Sequence, residues 1–257
     1  MGFLTDLVDE LRRRFERDPL DESVLMALAM HLPPPRAFEG ALRGTAVPVV
    51  IAEYKRASPS AGAIAETDVG SQARAYEEGG AAAISVLTEP TRFDGALADI
   101  RAVRAAVDLP VLRKDFLVHP AQVIESRAAA ADAVLLIAAA LSQLELKGML
   151  AVAADLGLGT LVETHSDEDL AKALATDATV VGVNARDLET LEVDVERALA
   201  LLPNIPSDRV AVLESGVTAR EPVERAIGAG ARAVLVGETL MRSPDPAAAI
   251  RSLRGAA

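Results

Sequence analysis

The chain has 257 residues, of which 51% are hydrophobic, 3% aromatic and 25% charged, which is enough apolar material for one large domain or two small ones. Its formal charge of −12 excludes a general binder of nucleic acids or anionic membranes, because such binding relies on basic residues that neutralise phosphates. The absence of cysteine excludes disulfides, thiolate metal sites and cysteine nucleophiles.

The first 46 residues precede the first predicted strand and contain a helix-stopping run, Pro33-Pro34-Pro35. We expect one or two extra helices here, packed on the rest of a single domain that comprises residues 1–257. The amphipathic start lacks the apolar core of a secretion signal, and no apolar run is long enough to span a bilayer. The sequence therefore predicts a soluble, cytoplasmic protein.

After residue 46 the sequence alternates apolar runs, which predict strands, with alanine-rich helical segments. The predicted strands are Val49–Lys55, Ala82–Leu87, Pro110–Lys114, Ala133–Ala138, Thr160–Thr164, Val180–Asn184, Val210–Glu214 and Ala233–Gly237. The predicted helices lie near residues 70–79, 94–107, 120–130, 142–156, 167–175, 194–202, 218–229 and 246–254. Continuously apolar strands are typical of a parallel sheet whose outer face is covered.

Eight strand–helix units in a chain of this length predict an α/β fold, the closed (β/α)₈ TIM barrel, with an N-terminal helical extension. An open doubly wound sheet is the alternative. It normally has fewer strands and a glycine-rich first turn. The first turn here, Ser58-Pro-Ser-Ala-Gly62, lacks that glycine pattern, so the barrel is favoured.

Lysine is rare in this chain, with four residues against 22 arginines, and two of the four lie at predicted strand ends. Glu53 and Lys55 are two residues apart on the first strand, so their side chains face the same way. A structural ion pair is as plausible here as a catalytic pair. Lys114 shares a strand face with Phe116, where partial burial lowers the pKa of an ammonium group, as a general acid requires.

Polar residues also end three successive apolar strands later in the chain, namely Glu163, Asn184 and Glu214. The active sites of TIM barrels lie where strands end and loops begin. We therefore predict that these side chains meet the two lysines in one site.

The turns after the seventh and eighth strands carry Ser215-Gly216 and Gly237-Glu238. Glycine allows a close approach of the backbone, and the N–H groups at a helix start attract anions, so a phosphate site is predicted here. Glu238 is expected to face outward and to contribute only its N–H. A tight turn without a ligand is the alternative for either glycine alone.

The three histidines, His31, His119 and His165, have no metal-ligand spacing, and we expect surface or capping positions for all of them.

These residues, in this order, resemble the indole-3-glycerol phosphate synthase family. The phrases that carry the resemblance are Ile51-Ala-Glu-Tyr-Lys-Arg-Ala-Ser-Pro-Ser60, Ile84-Ser-Val-Leu-Thr-Glu-Pro90, Leu109-Pro-Val-Leu-Arg-Lys-Asp-Phe116, Leu161-Val-Glu163, Gly182-Val-Asn184, Glu214-Ser-Gly216 and Leu235-Val-Gly-Glu238. The match runs from about Pro33 to the C-terminus, and its first and third phrases are specific to the family.

The resemblance implies a carboxy-lyase of tryptophan biosynthesis that uses no cofactor and no metal. Its substrate, 1-(2-carboxyphenylamino)-1-deoxyribulose 5-phosphate, closes to indole-3-glycerol phosphate with loss of carbon dioxide and water. The predicted partner is therefore an anionic small molecule with a phosphate and a carboxylate, not a nucleic acid or a membrane. A monomer is expected, with a homodimer as the alternative.

The resemblance also assigns roles to individual residues. Lys114 matches the acid that polarises the ketone, and Lys55 matches a lysine near the substrate carboxylate and hydroxyl, with Glu53 beside it. Glu163 and Lys55 are the candidates for the acid and the base in dehydration, and which of them takes which role is left open. Asn184 matches a residue that orients the catalytic groups. The residues that match substrate and phosphate contacts are Ser58, Arg186, Glu214, Ser215, Gly216, Gly237 and Glu238, with Phe116 and Leu136 flanking the anthranilate ring.

Some positions depart from the family pattern. Ala61 stands where many members have lysine, Thr164 follows Glu163 where valine is common, and Leu213 precedes Glu214 where a smaller residue is frequent. The phrase Asn184-Ala-Arg-Asp187 replaces a common Asn-Asn-Arg-Asn. None of these changes removes a catalytic group.

Two other functions remain as alternatives. Phosphoribosylanthranilate isomerase uses a similar phosphate-binding barrel but relies on a cysteine base, which this chain lacks. An engineered or inactive barrel scaffold is the other alternative, and the complete set of acids and bases argues against it.

Overall fold

A computed structural model describes residues 2–44, 46–59, 62–64 and 67–256, so Ala61 lies outside the described residues. Eight parallel strands within these ranges close into a barrel. They are β1 (Val49–Tyr54), β2 (Ala83–Leu87), β3 (Val111–Lys114), β4 (Ala133–Ile137), β5 (Gly159–Thr164), β6 (Val180–Asn184), β7 (Val210–Glu214) and β8 (Ala233–Val236). The predicted strands are confirmed to within a residue at each end.

Closure of the barrel depends on β1, which pairs in parallel with both β8 and β2. Val49 is the register partner of Ala233 in β8, and Ile51 is the partner of Ala83 in β2. The predicted TIM barrel is therefore confirmed, and the open doubly wound sheet is excluded. A short antiparallel hairpin, Ala57–Ser58 with Gly62–Ala63, follows β1.

Helices surround the barrel and also precede it. They are α1 (Phe3–Arg17), α2 (Glu22–Met30), α3 (Phe38–Gly44), α4 (Val69–Glu78), α5 (Leu97–Ala106), α6 (Pro120–Ala128), α7 (Gln143–Asp155), α8 (Asp167–Leu174), α9 (Val195–Leu201), α10 (Arg220–Gly228), α11 (Glu238–Met241) and α12 (Pro246–Arg254). None of the helices described is both long and apolar enough to cross a membrane.

The region before β1 holds three helices in the described residues, where the sequence predicts one or two. Asp21 makes the difference, because its side chain accepts hydrogen bonds from the backbone N–H groups of Ser23 and Val24 and so starts a second helix. The run Pro33-Pro34-Pro35 then separates α2 from α3, as expected.

The N-terminal helix α1 lies across the loops at the carboxyl ends of several strands. The N–H of Phe3 donates to the carbonyl of Glu189 after β6 (3.1 Å), and Arg12 donates to the carbonyl of Ala140 after β4 (3.3 Å). Leu4 and Leu7 of the same helix belong to the buried core that the barrel strands form. The helix is thus anchored beside the end of the barrel where the candidate site lies.

Candidate active site

A cavity of about 590 Å³ opens at the carboxyl ends of the strands. Its floor is charged and much of its wall is apolar, which suits a small molecule with both an aromatic part and anionic groups. The predicted site residues that line it are Glu53, Lys55, Ser58, Lys114, Phe116, Glu163, Asn184, Arg186, Ser215, Gly216, Gly237 and Glu238. Glu214 is fully buried beneath this floor, where it contacts Lys114.

Lys114, the last residue of β3, lies at the centre of the floor. Its Nζ is 2.9 Å from Glu214 Oε2, 3.5 Å from Glu53 Oε2 and 3.8 Å from Glu163 Oε2. These carboxylates come from β7, β1 and β5, so barrel closure brings together residues that are far apart in the sequence. One ammonium group therefore contacts three buried carboxylates.

Glu53 connects the two lysines of the site. Its Oε1 is 2.7 Å from Lys55 Nζ, while its Oε2 faces Lys114. Burial raises the pKa of Glu53, but the positive charges of the two lysines outweigh burial and leave the pKa below its usual value. The pair that the two-residue spacing predicts is present, and it extends to a second lysine that the spacing alone does not indicate.

The structure contradicts the expected direction of the Lys114 pKa. Burial lowers the pKa of this ammonium group, as the sequence predicts, but the charges of Glu214, Glu53 and Glu163 raise it by more. The net result is a pKa well above the usual value for lysine. Lys114 is therefore held protonated before a substrate enters, and it can donate a hydrogen bond or a proton.

Glu163 and Glu214 are two buried carboxylates with opposite pKa shifts. Burial and the negative charge of Glu163 raise the pKa of Glu214 to about 8, against the attraction of Lys114. For Glu163, burial is outweighed by contacts with His165, Lys114 and Asn184, which lower its pKa to about 2. Two carboxyls with separated pKa values can take different parts in proton transfer at neutral pH.

The position of His165 corrects the expected surface or capping role. Its side chain is 9% exposed, and Nε2 is 3.2 Å from Glu163 Oε1. His165 lies one residue beyond the end of β5, so a search for metal-ligand spacing does not identify its contact with Glu163. The two residues are two positions apart, and the alternation of side chains along a strand does place them on the same side. His119 does cap α6, since its Nδ1 accepts from the N–H of Ala121, and His31 is exposed at the end of α2.

Asn184 ends β6 and is held on both sides by arginines. Its Oδ1 accepts the N–H of Arg186 (2.9 Å), and its backbone carbonyl accepts from Arg197 Nη2 (3.0 Å). Asn184 also contributes to the low pKa of the Glu163 carboxyl. The Arg186 guanidinium donates to the carbonyl of Leu191 (2.7 Å) and lines the cavity.

The apolar wall contains three phenylalanines, of which the sequence identifies only Phe116. The ring centroids of Phe3 and Phe93 each lie 6.1 Å from that of Phe116. Phe3 belongs to α1 and Phe93 to the loop after β2, so neither occupies a strand end where a search for site residues would start. Together they form an aromatic surface for a planar ring.

Leu136, which the resemblance places beside a substrate ring, does not line the cavity. Leu135 and Ile137 line it, and Leu136 lies on the opposite face of β4. The register explains this position, because Ile137 pairs with Glu163 and shares its inward side. Thr164 and Leu213, which depart from the family pattern, are also buried away from the cavity lining.

The turns after β7 and β8 form the end of the cavity opposite the aromatic wall. Ser215 and Gly216 have φ angles of +64° and +74°, a left-handed turn that glycine adopts without strain. A side chain at Gly237 would strike the Glu53 carboxylate, so glycine is required there for packing. Glu238 is partly exposed, and its carboxylate pairs with Arg242 Nε (3.0 Å) at the cavity rim.

Fold and site together define a TIM-barrel enzyme that performs acid–base chemistry on a small molecule, because protonated and ionised groups converge beneath an apolar wall. Comparison with known proteins identifies its family. A family model described as indole-3-glycerol phosphate synthase matches residues 5–253. The chain belongs to this family, whose members are carboxy-lyases of tryptophan biosynthesis that act on a phosphorylated small molecule.

Individual relatives are similar over nearly the whole chain. The chain is 48% identical to the indole-3-glycerol phosphate synthase of Micrococcus luteus, covering 100% of this chain and 98% of that protein. It is 47% identical to the protein of the same name from Rhodopirellula baltica, over 98% of this chain and 99% of that protein. The Mycobacterium avium relative of that name is 52% identical over 90% of this chain and 85% of its own length.

Solved structures with lower identity share the fold. A 3-hexulose-6-phosphate synthase superposes with a TM-score of 0.63 at 19% identity, covering 80% of this chain and 98% of that chain. A thiamine phosphate pyrophosphorylase from Pyrococcus furiosus superposes with a TM-score of 0.59 at 16% identity, covering 80% of this chain and 93% of that chain. These likenesses support the barrel alone.

Proposed function

We propose that the cavity binds 1-(2-carboxyphenylamino)-1-deoxyribulose 5-phosphate and converts it to indole-3-glycerol phosphate, carbon dioxide and water. The observation that carries the proposal is the contact of one protonated lysine, Lys114, with three buried carboxylates at the cavity floor. Ring closure and dehydration both need protons delivered and removed at fixed positions, and this cluster holds both kinds of group.

In the first stage, the ring carbon that bears the carboxylate attacks the ketone carbon of the sugar chain. The Lys114 ammonium group hydrogen-bonds the ketone oxygen and stabilises the negative charge that develops there, finally giving it a proton. Loss of carbon dioxide then restores the aromatic ring. The carboxylates around Lys114 keep it protonated for this step, as the raised pKa of the ammonium group indicates.

In the second stage, the new hydroxyl leaves as water and a proton is removed to form the indole. Glu163 and Lys55 are the candidates for this acid and base. Glu163 is the proton acceptor of this pair, because the low pKa of its carboxyl leaves it ionised at neutral pH. Lys55 lines the cavity and is held by Glu53 at 2.7 Å, which places its ammonium group where it can act as the acid.

Substrate orientation follows from the two ends of the cavity. The aromatic ring packs against Phe116 and its neighbours, while the phosphate binds at the turns after β7 and β8. The backbone N–H groups of Gly216, Gly237 and Glu238 are its proposed donors, since the first N–H groups of a helix lack intrahelical acceptors. Arg242 at the rim pairs with the Glu238 carboxylate and so offsets its negative charge near this end.

The proposal also covers the cofactors, the oligomeric state, the location and the partners of the protein. The reaction uses no metal and no cofactor, and the protein acts as a monomer in the cytoplasm without nucleic-acid or membrane partners. The net charge of −12 and the absence of cysteine support this assignment.

The test is turnover of the carboxyphenylamino-deoxyribulose phosphate, followed by the fluorescence of the indole product and by released carbon dioxide. We expect the two products in a 1:1 ratio, in the presence of a metal chelator. N-(5′-phosphoribosyl)anthranilate serves as the rival substrate for the isomerase alternative. Conversion of that compound alone, or of neither compound, would overturn the proposal.

A further inference from the structure

Glu163 has two different neighbours for its two carboxylate oxygens. Oε2 is 3.8 Å from Lys114 Nζ on the cavity side, whereas Oε1 is 3.2 Å from His165 Nε2 on the side away from the cavity. Oε1 and Nε2 are both buried, and among the described residues neither makes a hydrogen bond of regular geometry, so their close approach is an ion pair when the imidazole is protonated. The imidazole is therefore the polar support of the Glu163 carboxylate.

The imidazole is supported in turn by α8. His165 Nδ1 lies 4.0 Å from Asp169 Oδ2, and the backbone N–H of His165 donates to the same oxygen (3.3 Å). His165 itself does not line the cavity. Its side chain thus stands behind Glu163, where a substrate in the cavity would not touch it.

The charged groups around His165 are carboxyls from several elements. Glu163 comes from β5, Asp169 from α8, Asp187 from the loop after β6 and Glu214 from β7. Burial lowers the pKa of the imidazole, but the contact with Glu163 and the negative charges of Glu163 and Asp169 raise it by more. The surroundings therefore favour a protonated imidazolium.

Glu163 needs such a neighbour because Glu214 lies beside it. Glu163 faces Lys114 from β3, Asn184 from β6, Glu214 from β7 and His165 from the loop directly after β5. Two buried carboxyls in contact compete for one proton, since both cannot ionise cheaply in a low-dielectric site. A positive imidazolium beside Glu163 stabilises the ionised form of that carboxyl, so the proton stays on Glu214.

We propose that His165 is a positioning residue that keeps the Glu163 carboxylate ionised and fixed in one orientation, so that Glu163 can accept a proton during turnover. This inference rests on the proposed function of Glu163. It adds a histidine that makes no contact with the substrate, and it explains why a buried imidazole follows the carboxylate at two residues' distance.

The first test is an NMR titration of the imidazole protons, which needs no substrate. The chain has three histidines, so His31→Gln, His119→Gln and His165→Gln assign all three signals. We expect His165 to titrate above the usual histidine value of about 6.5, and its midpoint to fall by about one unit or more in Glu163→Gln. A His165 midpoint at or below about 6.5, or one that Glu163→Gln leaves unchanged, would overturn the inference.

The second test is the pH dependence of kcat in His165→Gln, whose amide can hydrogen-bond Glu163 but carries no charge. We expect the acidic limb of the profile to move to higher pH by about one unit, with KM nearly unchanged, because Glu163 then protonates more readily. His31→Gln is the matched control and should keep the wild-type profile. An unchanged acidic limb in His165→Gln would contradict the inference.

The two tests separate this inference from the proposed function. If the wild-type protein fails to convert the substrate, the proposed function is wrong, while the NMR titration still decides whether His165 and Glu163 are paired. If the wild-type protein turns over and His165→Gln behaves identically, only the role of His165 is wrong. Where His165→Gln fails to fold by circular dichroism, the wild-type and Glu163→Gln titrations give the answer.

Discussion

Replacement of Lys114 by arginine separates the charge of this residue from its proton. At an effective dielectric constant near 20, the attraction between the ammonium group and each of the ionised carboxylates of Glu53 and Glu163, at 3.5 and 3.8 Å, is about 4–5 kcal/mol. Two such attractions exceed the several kcal/mol that burial of an ion costs. The carboxylates therefore hold Lys114 charged, and an arginine at this position satisfies the same electrostatic requirement.

Arginine cannot give up its proton in a protein, so Lys114→Arg preserves the charge and removes general-acid catalysis. We expect kcat to fall by about 10²-fold or more, which corresponds to about 3 kcal/mol of lost transition-state stabilisation. Lys114→Gln should lose at least as much. Binding of a phosphate-bearing product analogue should change little, because the proposed phosphate donors are the backbone N–H groups of Gly216, Gly237 and Glu238 and not the Lys114 side chain.

The stability of Lys114→Gln is a separate part of the same prediction. Removal of one partner from a buried ion pair typically costs about 3–5 kcal/mol, because an uncompensated charge remains. Here Glu214 already carries a proton at neutral pH, since its pKa is raised to about 8, so loss of the lysine leaves fewer uncompensated charges. We therefore expect a cost below that range, with the variant folded at pH 7 by circular dichroism and urea unfolding.

The assay is single-turnover formation of the fluorescent indole product, with enzyme in excess over substrate. Lys147→Arg is the matched control, because Lys147 is exposed on α7 and should tolerate the change without loss of rate. Near-normal turnover in Lys114→Arg would show that positive charge alone is needed and would refute the proton-donor role. A slow rate in both Lys114→Arg and the control Lys147→Arg would show that the loss of rate is not specific to Lys114.

Four further outcomes follow from the cluster. Glu163→Gln should depress kcat more than it raises KM, as measured by steady-state kinetics, whereas a pure rise in KM would contradict a role in proton transfer. Glu53→Gln should shift the pH–rate profile through Lys55, and a profile identical to that of the wild type would count against their pairing. Gly237→Ala should perturb the same profile, because its added methyl group displaces the Glu53 carboxylate; an unchanged profile would argue against the packing role of this glycine. The free energy of unfolding should fall between about pH 4.5 and 8 by up to about 1.4 kcal/mol per pH unit, because folded Glu214 retains a proton that the unfolded chain has lost, and Glu214→Gln should remove this component in urea titrations.

The barrel and the set of strand-end residues are predictable from the sequence because both depend on local pattern. Apolar runs of four to six residues mark the strands, and Glu163, Asn184 and Glu214 end such runs as isolated polar residues. Parallel strands then bring their ends together without further information. Once the barrel is closed, the carboxyl groups of Glu53, Glu163 and Glu214 also meet around Lys114.

The errors arise where a result depends on register or on neighbours distant in sequence. The sequence does not distinguish Leu136 from its neighbours Leu135 and Ile137, and a step of one residue reverses the face of a strand. Burial, which lowers the pKa of Lys114, is visible in the sequence, whereas the three carboxyl groups that raise this pKa come from other strands. The sequence does not indicate Phe3, because nothing in an N-terminal helix shows where it docks on the barrel.

A structure with the substrate analogue whose ketone is reduced to an alcohol tests the central claim most directly, because this compound cannot close its ring. The account predicts that the alcohol oxygen lies within hydrogen-bond distance of Lys114 Nζ and that the aromatic ring packs on Phe116. The phosphate should bind at Gly216 and Gly237. An alcohol group turned away from Lys114, or a phosphate bound at another pair of strands, would contradict it.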